Sequence, residues 1–301
     1  MRTMGLVILF LAAGIVILLA LVMATMRESI HPRRRATGWA LGVGWPVDPA
    51  GVDCEFDEWI LDRPGGVKLP VWDVTGHRSN GPVLILVHGF GRSRLTWLPH
   101  LEEWRDRASR VVMVDLRGHG DAEPDGVGLG DADVEDVVAL VERVSATEST
   151  GNRIVVVGRS LGASTGILAA SETEGIHGVV AVAPYETLAV PLANRIRLRG
   201  LPVFPVVPIS ILFMRLRGRR PRSARSAAAR LRIPLLVVQG DADQISPWED
   251  ARAIADAASM GRFELVHDAG HGDHWDREPE RLDAAVDELI DSLTPAESSA
   301  G

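Results

Sequence analysis

Six short runs rich in β-branched residues and leucine recur along this chain: PVLILVHG (82–89), RVVMVDL (110–116), RIVVVG (153–158), IHGVVAVAP (176–184), IPLLVVQG (233–240) and RFELVHDAG (262–270). Most show no polar face. A strand without a polar face must be covered on both sides, which restricts the chain to a mostly parallel sheet with helices packed on either face. Between most of the runs lie helical patterns. In DADVEDVVALVERVSA (131–146), Val134, Val137, Val138, Val141 and Val144 recur at helical spacing, and Asp131 and Asp133 suit a helix start. DCEFDEWI (53–60) and GVKLPVWDV (66–74) alternate more and are joined by the turn sequence LDRPGG, so an antiparallel hairpin is expected at the start of the sheet. The fold class is α/β.

The amino-terminal segment follows a different rule. From Gly5 to Met26 no residue is charged, and the run lies between Arg2 and Arg27. About 20 apolar residues suffice to cross a bilayer as a helix, and only a closed hydrogen-bonded structure is tolerated there. We read 5–26 as a transmembrane anchor. A cleaved secretory signal is the alternative, with Val22 to Ala24 as a loose cleavage site. Arg27, Arg33, Arg34 and Arg35 follow the span, against Arg2 before it, so the large domain is expected on the cytoplasmic side. Residues 27–50 read as a linker, with Trp39 and Trp45 either at the membrane interface or packed on the domain; 51–294 read as the domain, and 295–301 as a flexible tail.

The formal net charge of -8 argues against general nucleic-acid binding, and no nucleic-acid partner is expected. A single cysteine, Cys54, excludes an internal disulfide and reads as a buried strand residue. No Cys/His cluster suggests a metal, and no organic cofactor is indicated.

The chemistry-bearing feature is GRSLG (158–162), between the strand-like run ending at Val157 and a helical stretch from Leu161. A serine at a strand-to-helix turn adopts strained angles that only small neighbours permit, and Gly158 and Gly162 supply them. Its hydroxyl then sits at a helix N-terminus, yet it stays a weak nucleophile until a base takes its proton. His271, in a loop before the final helix, is the best-placed base; His267 and His274 are the alternatives. His31, His77, His100 and His177 show no partners in the sequence. A base needs an acid to fix its tautomer. GDADQISP (240–247) offers Asp243, which is deep enough in its loop to turn back toward the histidine, and Asp241; Glu186 is a further alternative. The order Ser160, Asp243, His271 is the one expected for triads on this kind of sheet.

HGFG (88–91), DLRGHG (115–120), GRSLG (158–162), GDADQISP (240–247) and AGHGD (269–273) occur in order and in the expected strand contexts. Over about residues 52–293 the chain resembles the α/β-hydrolase superfamily, more narrowly its membrane-tethered short-cap esterases, lipases and acyl-thioesterases. That resemblance implies an oxyanion hole from the backbone N–H groups of Phe90 and Leu161, structural roles for His88 and His119, and a cap inserted at about 186–232. Two positions depart from the pattern: DAE (121–123) stands where a serine often follows GHG, and Gln239 where a histidine is usual.

Within the cap region, RGLPVFPVVPISILFM (199–214) is apolar but broken by Pro202, Pro205 and Pro208, and a dense arginine run, Arg215 to Arg232, follows. Two readings stand equal: docking on anionic lipid headgroups, or a cap that covers the pocket with its arginines solvated. The expected activity is that of a membrane-anchored serine hydrolase acting on a small-molecule ester or thioester. An aminopeptidase-like amidase and a catalytically silent binding module are the alternatives; the sequence leaves the oligomeric state open.

Overall fold

The computed structural model describes residues 2–123, 126–147 and 153–293; the tail expected at 295–301 lies outside them. Eight strands form one sheet: β1 (Asp57–Arg63), β2 (Val67–Thr75), β3 (Val83–Val87), β4 (Arg110–Val114), β5 (Ile154–Arg159), β6 (Gly178–Val182), β7 (Leu235–Gly240) and β8 (Gly261–Val266). Their order is β1-β2-β4-β3-β5-β6-β7-β8. β1 and β2 form the expected hairpin, turning at Pro64–Gly66, and β2 lies antiparallel on β4. Every other pair is parallel.

The six apolar runs are the six parallel strands; β3 to β7 are buried on both faces almost throughout, whereas the edge strand β8 is buried only at Val266. Val83, Ile85 and Val87 of β3 face one core with Val156, Val179 and Val237. Leu84 and Leu86 face the other with Val155, Val180 and Leu236. Helices Asp131–Ser145, Leu161–Ala170 and Trp248–Ala257 cover the first face, Leu101–Arg107 and Pro279–Leu293 the second. A parallel sheet buried in this way places all its strand carboxyl ends along one edge, where α/β folds hold their ligands.

Two segments differ from the sequence expectation. Cys54 is buried but precedes β1, following a short turn of helix at Pro49–Val52. The segment expected as a linker carries a helix, Thr37–Val43, whose Ala40 is fully buried, and Arg34 donates to the His119 and Ala122 carbonyls. Basic residues after the apolar run thus serve the domain directly.

The apolar run belongs to a helix, Arg2–Ile30, long and apolar enough to cross a membrane by length and composition. Its first part stands away from the domain, with Leu6 to Leu11 and Ile15 to Ile17 exposed. Val22, Met26 and Ile30, spaced by four, are buried in the first core and pack beside the cap helix Val206–Leu216. Glu28 pairs with Arg199, at the end of the cap helix Ala189–Leu198.

Candidate active site

Ser160 follows β5 and precedes the helix Leu161–Ala170 with φ 53° and ψ −109°, angles an L-residue holds only under constraint. The constraint is tight packing. A Cβ on Gly158 would lie 2.3 Å from the Gly162 carbonyl, and one on Gly162 would lie 2.2 Å from the Val87 carbonyl. The Ser160 N–H donates to the Val182 carbonyl at 2.7 Å, tying the turn to the end of β6.

His271 lies in the loop after β8. Its Nε2 is 2.9 Å from Ser160 Oγ, and its Nδ1 is 2.7 Å from Asp243 Oδ2. That loop is held from two sides: the Gly270 N–H donates to Asp273 Oδ1, and Arg159 Nη2 donates to the Gly272 carbonyl.

Asp243, past the end of β7, is buried. Burial alone would raise its carboxyl; the His271 hydrogen bond and charge, with the Ser246 and Ile245 N–H groups, outweigh burial and hold it below the usual carboxylate range. Gln239 adds a donor, its Nε2 lying 2.7 Å from Asp243 Oδ2 and 2.8 Å from the Ser246 carbonyl. The position that departs from the expected histidine is therefore a fully buried support for the acid. A polar side chain in an otherwise apolar strand was its one sequence signal.

Phe90 and Leu161 flank the serine. Gly89 sits close enough that a Cβ there would lie 3.4 Å from Ser160 Cβ. Among the described residues, neither the Phe90 nor the Leu161 N–H donates to a carbonyl. Leu161 opens its helix, where first-turn N–H groups lack internal partners.

The other candidates fall elsewhere. His267 and Asp241 pair with each other at 2.9 Å on the surface. His274 is fully buried, and burial, then the Arg159 charge, lowers it to about 4. Glu186 takes no part in the relay; its charge adds to the burial that raises Asp250. His77 and His100, without visible partners in sequence, meet Asp106 and Glu103 on the surface. His88 is a buried neutral ring: the Leu116 N–H donates to its Nε2, so Nδ1–H donates to the Gly89 carbonyl, and burial lowers it to about 3. His119 stacks edge-on against His88 and Phe90. Both shape the loop that carries Phe90.

Two clefts meet at Ser160. One, of about 50 Å³, is lined by apolar residues including Leu129, Leu188, Leu192 and Ile196, by Thr25, Glu28 and Ser29 of the amino-terminal helix, and by Arg195 and Arg199. The other, of about 470 Å³, opens past His271 toward Trp39 and Trp45.

The sequence profile of the alpha/beta hydrolase family matches residues 84–285. An uncharacterized Bacillus subtilis protein, YqkD, is 23% identical over 246 residues, 79% of this chain and 80% of its own. Among solved structures, the Pyrococcus furiosus esterase Pf2001 superposes with a TM-score of 0.71 at 24% identity, covering 88% of this chain and 98% of that one. A membrane phospholipase A described as a bacterial virulence factor superposes with a TM-score of 0.61 at 17% identity over 98% of this chain and 100% of that one. At these identities the structural likeness speaks for the fold.

Proposed function

The chain belongs to the alpha/beta hydrolase family, and from that premise we propose that it is a membrane-anchored serine hydrolase cleaving a carboxylic ester or thioester through an acyl-enzyme on Ser160. The observation that carries this reading is the continuous relay from Ser160 Oγ through both nitrogens of His271 to Asp243. Esterases among its structural neighbours agree with it.

In this reading Ser160 Oγ bonds to the acyl carbon while its proton passes to His271 Nε2. Asp243, ionised, keeps Nδ1–H in place and stabilises the imidazolium. The carbonyl oxygen becomes an oxyanion facing the Phe90 and Leu161 N–H groups, commonly the largest single catalytic contribution. Collapse breaks the bond to the leaving oxygen or sulfur, which takes the proton from Nε2. Water then repeats the sequence: it gives its proton to His271 and its hydroxyl to the acyl carbon, and Ser160 recovers its proton.

Anchoring rests on Arg2–Ile30. The end of this helix lines the apolar cleft and buries Val22, which supports retention rather than removal. Leu212, Phe213 and Leu216 on the neighbouring cap helix are exposed beside Arg215 and Arg217, a combination suited to lipid contact. Elsewhere in the run Arg222 pairs with Glu172, and Arg219 donates to the Val127 carbonyl. The basic flank of the span favours a cytoplasmic domain, tested by added protease cutting only in lysed cells.

A fluorophosphonate probe tests the chemistry: labelling of wild type and none of Ser160→Ala is expected, and unlabelled folded wild type would favour a silent binding module. An ester, thioester and amide panel separates hydrolase from amidase.

A further inference from the structure

The larger cleft is more strongly basic than the apolar one, which shares Arg195 with it and also carries Arg199 and Glu28. Arg35, Arg92, Arg159 and Arg195 line the larger cleft, and no carboxylate does. Among the described residues none of the four is salt-bridged. Their near partners are neutral: Arg159 holds the Gly272 carbonyl, Arg195 lies 4.7 Å from the Phe90 ring centre, and Arg35 lies 4.7 Å from that of Trp39. Asp276 and Glu28 act on Arg159 and Arg195 without lining the cleft. Arg92 has no such carboxylate; burial and the Arg35 charge both lower its affinity for a proton. A local cluster of positive charge in a protein of net charge -8 is no reflection of composition.

The clefts also differ in which catalytic group they contain. His271 lines the basic cleft and is not part of the apolar one's wall. The leaving group must receive its proton from His271, so it departs on the basic side, while the apolar side suits an acyl chain. Resting on the serine-hydrolase reading, we propose that the leaving group carries a phosphate, the substrate being an acyl ester or thioester of a phosphorylated alcohol or thiol. Guanidinium forks match phosphate oxygens, and several can share one group. The volume admits more than the phosphate, with Trp39 and Trp45 along the organic remainder. The acyl C–O or C–S bond breaks, the departing atom takes the proton from His271, and water supplies the hydroxyl of the acid. A glycerophosphate headgroup and a soluble phosphorylated thiol carrier share this chemistry.

The test uses the full chain in detergent micelles with four substrates: 1-palmitoylglycerol 3-phosphate, 1-palmitoylglycerol, palmitoyl-coenzyme A and p-nitrophenyl butyrate. Wild type is expected to favour a phosphorylated substrate over 1-palmitoylglycerol by about tenfold or more, the worth of one charge-assisted hydrogen bond. The Arg35→Gln/Arg92→Gln double variant is expected to lose about ten times more kcat/KM on the phosphorylated substrate than on the neutral one. Preference for the lysolipid identifies a lipid headgroup; preference for the coenzyme A thioester identifies the soluble carrier. Independently of turnover, Ser160→Ala should bind glycerol 3-phosphate or coenzyme A by calorimetry, more weakly when both arginines are also replaced. Equal rates on charged and neutral lipids with no such binding overturn the proposal, while Ser160-dependent cleavage of p-nitrophenyl butyrate keeps the hydrolase reading. Folded wild type inert on all four sinks both.

Discussion

Gln239 Nε2 lies 2.7 Å from Asp243 Oδ2, the same oxygen that receives the Nδ1–H of His271. Two donors therefore share one carboxylate oxygen, and a third and fourth, the Ile245 and Ser246 N–H groups, take the other. Replacing Gln239 by Leu removes a donor from a buried charge, worth roughly 1.5–3 kcal/mol. Gln239→Leu is expected to lower kcat/KM by about tenfold or more. An unchanged kcat/KM would assign Gln239 a packing role only.

The turn holding Ser160 has no room for a methyl group. Gly162→Ala would press a carbon against the Val87 carbonyl, and Gly158→Ala would press one against Gly162's own carbonyl. Backbone on both sides cannot yield as a flexible side chain would. Either substitution is expected to lower kcat/KM by about 100-fold or more through displacement of Oγ. Gly38→Ala, in a helix with nothing within 4 Å, serves as the control and should leave activity near wild type. Near-normal turnover in Gly162→Ala would mean the strained geometry is dispensable.

Two Asp–His pairs stand side by side in sequence, and only one reaches the serine. Asp243→Asn is expected to reduce kcat by about 10⁴, because an amide favours the wrong imidazole tautomer. Asp241→Asn and His267→Ala break only a surface pair and should stay within about threefold of wild type. Steady-state kinetics on one p-nitrophenyl ester suffices. A comparable loss in Asp241→Asn would reverse the assignment.

The sequence made the sheet legible because a strand buried on two faces leaves no polar position, as in Val83–Val87 and Ile154–Val157. It made Ser160 legible because only glycine fits on both sides of it. Asp243 and His271 required choosing among neighbours, and what decides is depth: Asp243 is buried and Asp241 exposed, which composition does not encode. The basic cleft was invisible for a different reason. Arg35, Arg92, Arg159 and Arg195 come from four separate segments, so no motif joins them. The contribution of Ser29 to the apolar cleft was hidden likewise, since an apolar run reveals that it will be buried but not against what.

Stability should depend on pH through rings buried in the neutral form. Burial lowers His88 to about 3 and both His119 and His274 to about 4. Unfolding lets them titrate near the ordinary value of about 6.5. Their contribution is complete above that pH and is lost as pH falls toward 4, by about 1.4 kcal/mol per ring per pH unit. Asp115 and Asp133 oppose this below pH 6: burial pushes each up to about 6, so the folded state takes up protons there and regains stability as the pH falls. Three rings against two carboxyls leave a net loss. The apparent Tm is expected to peak near neutral pH and to fall by several degrees between pH 7 and pH 5. A Tm that held or rose over that interval would contradict neutral burial of the rings.

The amino-terminal helix lines the apolar cleft beside Ser160, and Ser29 is where a part in acyl binding can be measured. Ser29 is buried, lines the apolar cleft, and spends its hydroxyl on the Thr25 carbonyl within its own helix. Ser29→Leu keeps the helix, since leucine is a good helix former, and places a larger apolar side chain into the cleft. A short acyl chain need not reach that depth, whereas a long one must. Activity on a dodecanoyl ester should fall by about tenfold relative to a butanoyl ester, mostly as a rise in KM. Lost room rather than lost chemistry predicts that the pH profile stays in place. An unchanged chain-length preference would mean that acyl chains take another path and that the helix only tethers.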